Sequence, residues 1–189
     1  ERAETSFDPE ISADGRVVVF ASTAPFLGGS AGTHPDIYRK EATGAISRLS
    51  DTNGGDRSNG RNAQPVTNID GSVVAWESEA TNLDATDTNG LFDVYVWSDG
   101  KSERVSFLPG NLPLTDRAYD PRIDESGELI GFYTDTDPGA ASAFDGFVRN
   151  RTTDETHLVT SSANGTAGPR FDTVAAISGD GRAVLVRST

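Results

Sequence analysis

The sequence contains no cysteine and no methionine, and only two histidines among 189 residues. Without cysteine there is no disulfide, no thiolate nucleophile and no Cys-based zinc site. The two histidines, His34 and His157, lie in distant parts of the chain and lack the close partners that a zinc site needs. Basic residues are scarce: 16 Lys and Arg face 29 Asp and Glu, for a net charge of −13. That sign argues against nucleic acid as a partner, whose phosphates call for a basic surface, and against an anionic membrane surface. It suits divalent cations. No apolar run approaches the length of a membrane span, so no membrane insertion is expected. No segment shows helical periodicity with capping residues. The absence of Met even at position 1 leads us to expect a processed chain or an excerpt. A removed signal peptide would produce this, and an extracytoplasmic (secreted or periplasmic) location is expected.

What is present is repetition. Ile11-Ser12-Ala13-Asp14-Gly15-Arg16-Val17-Val18-Val19-Phe20 returns as Asn68-Ile69-Asp70-Gly71-Ser72-Val73-Val74-Ala75-Trp76. It returns again as Ile123-Asp124-Glu125-Ser126-Gly127-Glu128-Leu129-Ile130-Gly131-Phe132, and finally as Ile177-Ser178-Gly179-Asp180-Gly181-Arg182-Ala183-Val184-Leu185-Val186. The anchors Gly15, Gly71, Gly127 and Gly181 are 56, 56 and 54 residues apart. A fixed period of this size marks a propeller or a solenoid.

Each repeat divides into four short segments. A brief first strand (8–11, 64–67, 120–123) opens with Pro9, Pro65 or Pro121, expected at the first strand residue, where no ladder N–H is needed. Ala175 takes that place in the fourth copy. The Asp-Gly or Ser-Gly pair then predicts a tight hairpin turn. The second strand is an almost continuous apolar run, as expected for a strand buried on both faces. A longer loop leads to a third strand beginning at Asp36, Asp93 or Asp145. A fourth, alternating strand (46–50, 103–106, 157–160) suits an outer edge with one wet face. Four antiparallel strands per repeat, set radially, make a β-propeller blade.

The pattern Asp-Pro-x-Ile-Ser-x-Asp-Gly-Arg-x-Val-x-Phe-x-Ser (Asp8 to Ser22), then Asp36-Ile37-Tyr38, then Arg48-Leu49-Ser50, resembles the TolB-like, WD-type propeller repeats of bacteria. The likeness runs over nearly the whole chain. The third repeat departs most: Gly131 and Gly146 thin its strands, and His157 is taken to replace the Arg. The expectation is an all-β, incomplete propeller of about three and a half blades: 8–56, 64–112, 120–166 and a half blade at 174–189. The remaining blades would come from the same gene product or from another chain.

The candidate site with most chemistry is the loop from Asp84 to Asp93. Asp87, Asn89 and Asp93 around Gly90 offer oxygen ligands of the kind Ca²⁺ takes, and the loop resembles Asp-x-Asn-x-x-x-Asp loops of secreted propeller repeats. The competing reading is Asx-turn chemistry, with Asp and Asn bonding their own backbone. Asp135, Asp137 and Asp145 echo the loop in the third repeat. Gly28-Gly29-Ser30-Ala31-Gly32 matches Gly-x-Ser-x-Gly with His34 and Asp36 nearby, but a nucleophile elbow needs a strand before it and a helix after it. Asn150-Arg151-Thr152 and Asn164-Gly165-Thr166 match the glycosylation acceptor pattern. The functional expectation is a non-enzymatic scaffold that binds a protein, peptide or glycan, with no catalytic residues and with Ca²⁺ in the Asp84–Asp93 loop. The alternative is the propeller part of a larger hydrolase such as a prolyl-oligopeptidase-like peptidase, which the same repeat resembles.

Overall fold

Every copy of the Asp-Gly phrase folds into the same turn. In a computed structural model describing residues 4–28, 32–135, 144–160 and 172–187, Ser12, Asn68, Asp124 and Ser178 each donate their backbone N–H to the carbonyl five residues on, of Val17, Val73, Leu129 and Ala183. Each also uses its side chain to accept that residue's N–H, at 3.0, 2.9, 3.0 and 2.9 Å. The turn glycines have φ of 73°, 75°, 78° and 69°, a region that side chains with a Cβ avoid.

Among the described residues these turns join strands into three four-stranded antiparallel sheets and one two-stranded sheet, and a separate two-stranded hairpin lies between the second and third blades. The first is β1 (Ser6–Ile11), β2 (Val17–Ser22), β3 (Asp36–Glu41) and β4 (Ile46–Arg48). The second is β5 (Asn62–Thr67), β6 (Val73–Ser78), β7 (Asp93–Ser98) and β8 (Lys101–Arg104). A small hairpin, β9 (Phe107–Leu108) and β10 (Leu112–Pro113), leads to β11 (Ala118–Ile123), β12 (Leu129–Thr134), β13 (Asp145–Asn150) and β14 (Glu155–Leu158). The fourth sheet pairs β15 (Thr173–Ile177) with β16 (Val184–Arg187). Within each sheet the strands follow chain order, the meander of a propeller blade. Strands β1, β5, β11 and β15 lie side by side as the inner strands. Each blade thus has a turn end, at the Asp-Gly turns, and a loop end, where the inner strand begins and the second strand passes to the third.

The blades pack face to face. Strand β6 is buried along its whole length. Val74 and Trp76 join Val17, Val19 and Ile37 of the first blade, while Val73 and Ala75 join Ile130 and Phe132 of the third. The expectation of a second strand buried on both faces holds here. Gly131 and Gly146 are small for a packing reason: a Cβ on either would lie 3.0 Å or less from Val174 of β15.

Three local expectations are corrected. Pro9, Pro65 and Pro121 do not open their strands; they sit inside β1, β5 and β11, at a bulge where the register shifts. The residue before each proline, Asp8, Gln64 or Asp120, has φ of 50°, 50° or 55°. Proline is tolerated because a bulge leaves the ladder open there. The fourth strands end two residues early, because Ser50, Ser106 and Thr160 turn their hydroxyls inward to the carboxylates described below. Finally, β13–β14 pairing sets Leu158 opposite Phe147, as Arg48 and Arg104 are opposite Tyr38 and Tyr95. Leu158, not His157, replaces the Arg.

Candidate functional site

At the loop end of each complete blade the third strand starts with a buried aspartate. The Asp36 carboxylate accepts from Ser50 Oγ at 3.2 Å, Asp93 from Ser106 Oγ at 2.5 Å and Asp145 from Thr160 Oγ1 at 3.0 Å. The same hydroxyls accept the next backbone N–H, of Ile37, Val94 and Gly146. This ties the start of the third strand to the end of the fourth.

The Asp84–Asp93 loop is organised around an arginine. Arg104, almost wholly buried, places Nε 3.1 Å from Asp84 Oδ2 and Nη1 3.4 Å from Asp93 Oδ2. Its Nη2 donates to Thr86 Oγ1 at 2.8 Å. Asp87 accepts from Tyr95 Oη at 3.0 Å and from Asn89 N. Asn89 Oδ1 accepts from Leu91 N at 2.8 Å, an Asx turn. Asp87, Asn89 and Asp93 therefore share one loop, but each is committed to protein donors, and the guanidinium supplies the positive charge. Burial pushes the Asp93 carboxyl up to about 6, against the hydrogen bond from Ser106 and the Arg104 charge, which hold it down. The Tyr95 hydroxyl is pushed up, by burial first and then by Asp87 and Asp93. Among the described residues no group of three His, Cys, Asp or Glu side chains is arranged to hold a metal ion.

The other sequence candidates separate. Asp36 is bound by Arg57 as well as Ser50, so it is engaged structurally; residues 29–31 of the Gly-x-Ser-x-Gly stretch lie outside the described residues. So do Asp137 and Asn164. Asp135 accepts from Arg117 N. Asn150 accepts from Thr152 N and Thr153 N, closing the turn after β13. Asn53, in the connector after the first blade, clips onto Ser102 of β8 through both side-chain atoms.

The sequence pointed to the inner strands as structure but not as a site. Between β1 and β5 lies an open cavity of about 430 Å³, lined by Phe7 to Glu10, Arg61 and Ala63 to Val66. The bulges organise its rim. Asp8 accepts from the backbone N–H of Gln64, and Glu77 from that of Asp120. Asp120 in turn grips Arg122 with both oxygens, at 2.7 and 2.8 Å. Burial raises the Glu77 carboxyl, with the neighbouring Asp120 and Asp8 charges adding to it. Glu10 is raised by burial too. Comparing the copies position by position would have pointed here: Phe7, Ala63 and Tyr119 occupy one repeat position, and Ala21, Glu77 and Tyr133 another.

No protein-family model matches the sequence, and no curated protein matches it either. Solved structures do. The chain is similar to prolyl endopeptidases studied for interdomain dynamics, with TM-score 0.61 and 14% identity, covering 98% of this chain and 26% of that one. It is similar to a puromycin-hydrolyzing peptidase of Mycobacterium tuberculosis (TM-score 0.56, 19% identity, 97% and 28% covered). It is also similar to the propeller domain of the trilobed protease of Pyrococcus furiosus (0.53, 11%, 90% and 45%). The fold is a β-propeller. A structure assigned as TolB from Agrobacterium tumefaciens shares it at TM-score 0.50 and 17% identity, with 96% of this chain and 74% of that one covered. The chain spans about a quarter of the prolyl endopeptidase, and at these identities the likeness concerns fold alone. Among the described residues no helix is long and apolar enough to cross a membrane.

Proposed function

We propose that this chain is a non-catalytic, extracytoplasmic propeller segment that holds a protein, peptide or glycan ligand against the loop end of its inner strands. The observation that carries the reading is the cavity of about 430 Å³ between β1 and β5. Its rim is built by bulges at one repeat position and decorated differently in each blade. Binding sites are concave, with a few placed polar groups, and this cavity meets that description with Asp8, Glu10, Arg61 and Gln64. Selecting displayed random peptides against the chain tests it. Binders should change about tenfold or more in affinity on Arg61→Glu, which reverses the charge of an exposed lining residue; a single desolvated charge contact is worth that much. Binders indifferent to Arg61→Glu, or no binders at all, would contradict the reading.

A second reading is favoured by the solved structures, several of which are peptidases. In it the chain is the propeller part of a larger hydrolase, and the same cavity filters what reaches chemistry done by another domain. A nucleophile-elbow domain in the full reading frame would establish it.

Calcium belongs to the proposal at the Asp84–Asp93 loop, where the ion would compete with Arg104 for Asp93 and with Tyr95 for Asp87. Titrating the chain calorimetrically with CaCl₂ decides it, since an ion bound to the native state must also raise the melting temperature.

A further inference from the structure

Four aromatic rings form a contiguous row along the loop end of the second and third blades. Phe92 and Tyr119 have centroids 6.1 Å apart, Tyr119 and Tyr133 5.4 Å, and Tyr133 and Phe144 5.4 Å. The row has no counterpart in the packing of the core: the two core clusters do not use Tyr119, Tyr133 or Phe144, and all three are only half-buried. Tyr119 and Tyr133 face each other across β11 and β12. The equivalent pairs are Phe7 with Ala21 and Ala63 with Glu77, so the repeat itself does not demand aromatic residues there.

The protein's own cations already use this row. The Arg61 guanidinium lies 5.8 Å from the Phe92 ring centroid, at the border with the inner-strand cavity. At the next ring, Arg117 donates to Tyr119 Oη at 3.4 Å. Ring faces attract cations through their quadrupole. Carboxylates stand beside the row: Glu77 and Asp120 act on Tyr133, against Arg122, which Asp120 pairs with, and Asp135 and Glu79 act on Arg117. The molecule as a whole carries −13. Charge complementarity over such a surface steers a partner of the opposite sign.

We infer that the row from Phe92 to Phe144 is a docking shelf for a lysine- or arginine-bearing peptide segment, whose cationic side chains lie over Tyr119 and Tyr133 next to the acidic rim. This rests on the loop-end reading above and names its ligand class.

The test is fluorescence anisotropy of the chain with a labelled, end-capped tetralysine peptide. Binding is expected at about 20 mM NaCl and should weaken strongly at about 300 mM, as screening requires. Exchanging both tyrosines, Tyr119→Leu with Tyr133→Leu, keeps apolar bulk and removes the ring faces; affinity should fall about tenfold, the size of two cation–π contacts. The Tyr119→Phe, Tyr133→Phe pair should bind as the parent does. Glu41→Gln, at the turn end, should change nothing. The inference is overturned by an absence of tetralysine binding, by equal binding of the leucine pair, or by chitohexaose binding lost on the leucine exchange while tetralysine binding is not. Displayed peptides that are uncharged yet sensitive to Arg61→Glu would overturn the basic-peptide inference and leave the loop-end reading standing.

Discussion

The two ends of the blades are built on different rules. At the turn end, four turns repeat one another bond for bond. They are stitched across blades by backbone hydrogen bonds from Asp14 to Ile69, Ile69 to Glu125 and Glu125 to Gly179. At the loop end, the carboxylate–hydroxyl ties of Asp36, Asp93 and Asp145 and the bulges at Asp8, Gln64 and Asp120 repeat. Around them each blade differs: Arg57 serves Asp36 from a connector, and Arg104 serves Asp93 from the outer strand. Backbone bonds and glycines carry little side-chain identity, so the turn end can be copied without constraining a ligand. Side chains carry the variation, and they gather at the loop end. The difference teaches that the repeated residues of this chain are scaffold and that recognition must be sought where the copies disagree.

That division can be broken at several points. The largest effect is expected from Gly71→Ala at the turn end. Gly71 has φ of 75°, and a Cβ would lie 2.5 Å from Val17 of the preceding blade. Left-handed backbone and overpacking together should cost about 2–4 kcal/mol, read as a fall in the urea midpoint. A cost under about 1 kcal/mol would mean that the blades are less tightly seated there than their geometry states.

The next effect concerns the loop end and depends on pH. The Asp93 carboxyl sits at about 6 in the folded protein against an ordinary 3.8. The native state therefore holds this proton where the unfolded chain has lost it. The resulting stabilisation is complete below the ordinary value and is lost as pH rises through the folded value. Asp93→Asn should remove that component, so the stability of the parent relative to the variant should decline from about pH 4 to about pH 6. Chemical denaturation across that range checks it, and a parent that gains on the variant with rising pH would show that Arg104 outweighs burial.

The smallest effect is a gain. Gln64 is held at φ of 50° in its bulge, a conformation that glutamine seldom adopts. Gln64→Gly should raise stability by up to about 1 kcal/mol, less the entropy that glycine gives to the unfolded chain. Thermal denaturation reads the sign. A clear loss would mean that the weak bond from Gln64 Nε2 to Glu77 matters more than the strain.

The turn end was legible in the sequence because its determinants are local: Asp-Gly and Ser-Gly demand a turn wherever they occur, and four copies at even spacing demand a blade. The third strands were legible from Asp36, Asp93 and Asp145 for the same reason. What escaped was non-local. Asp8-Pro9 reads like a strand opening, because a bulge inside a strand leaves no mark in composition. Leu49-Ser50 and Val105-Ser106 continue an alternating pattern, and only the partner carboxylate reveals that the serine has left the strand. Arg104 is 11 residues beyond Asp93 in sequence, yet it centres the loop in which oxygen ligands for a cation were expected. The aromatic row draws on a loop, two strands and a second loop, and no linear motif joins Phe92 to Phe144.

The most direct test of the division between scaffold and recognition face is a ¹H–¹⁵N correlation titration of this 20.0 kDa chain with the capped tetralysine peptide. If the loop end is the recognition face, amide shifts will concentrate at Phe92, Tyr119, Tyr133 and Phe144, while the well-resolved glycines 15, 71, 127 and 181 stay fixed. Shifts gathered at those four glycines, with the aromatic row unmoved, would contradict it.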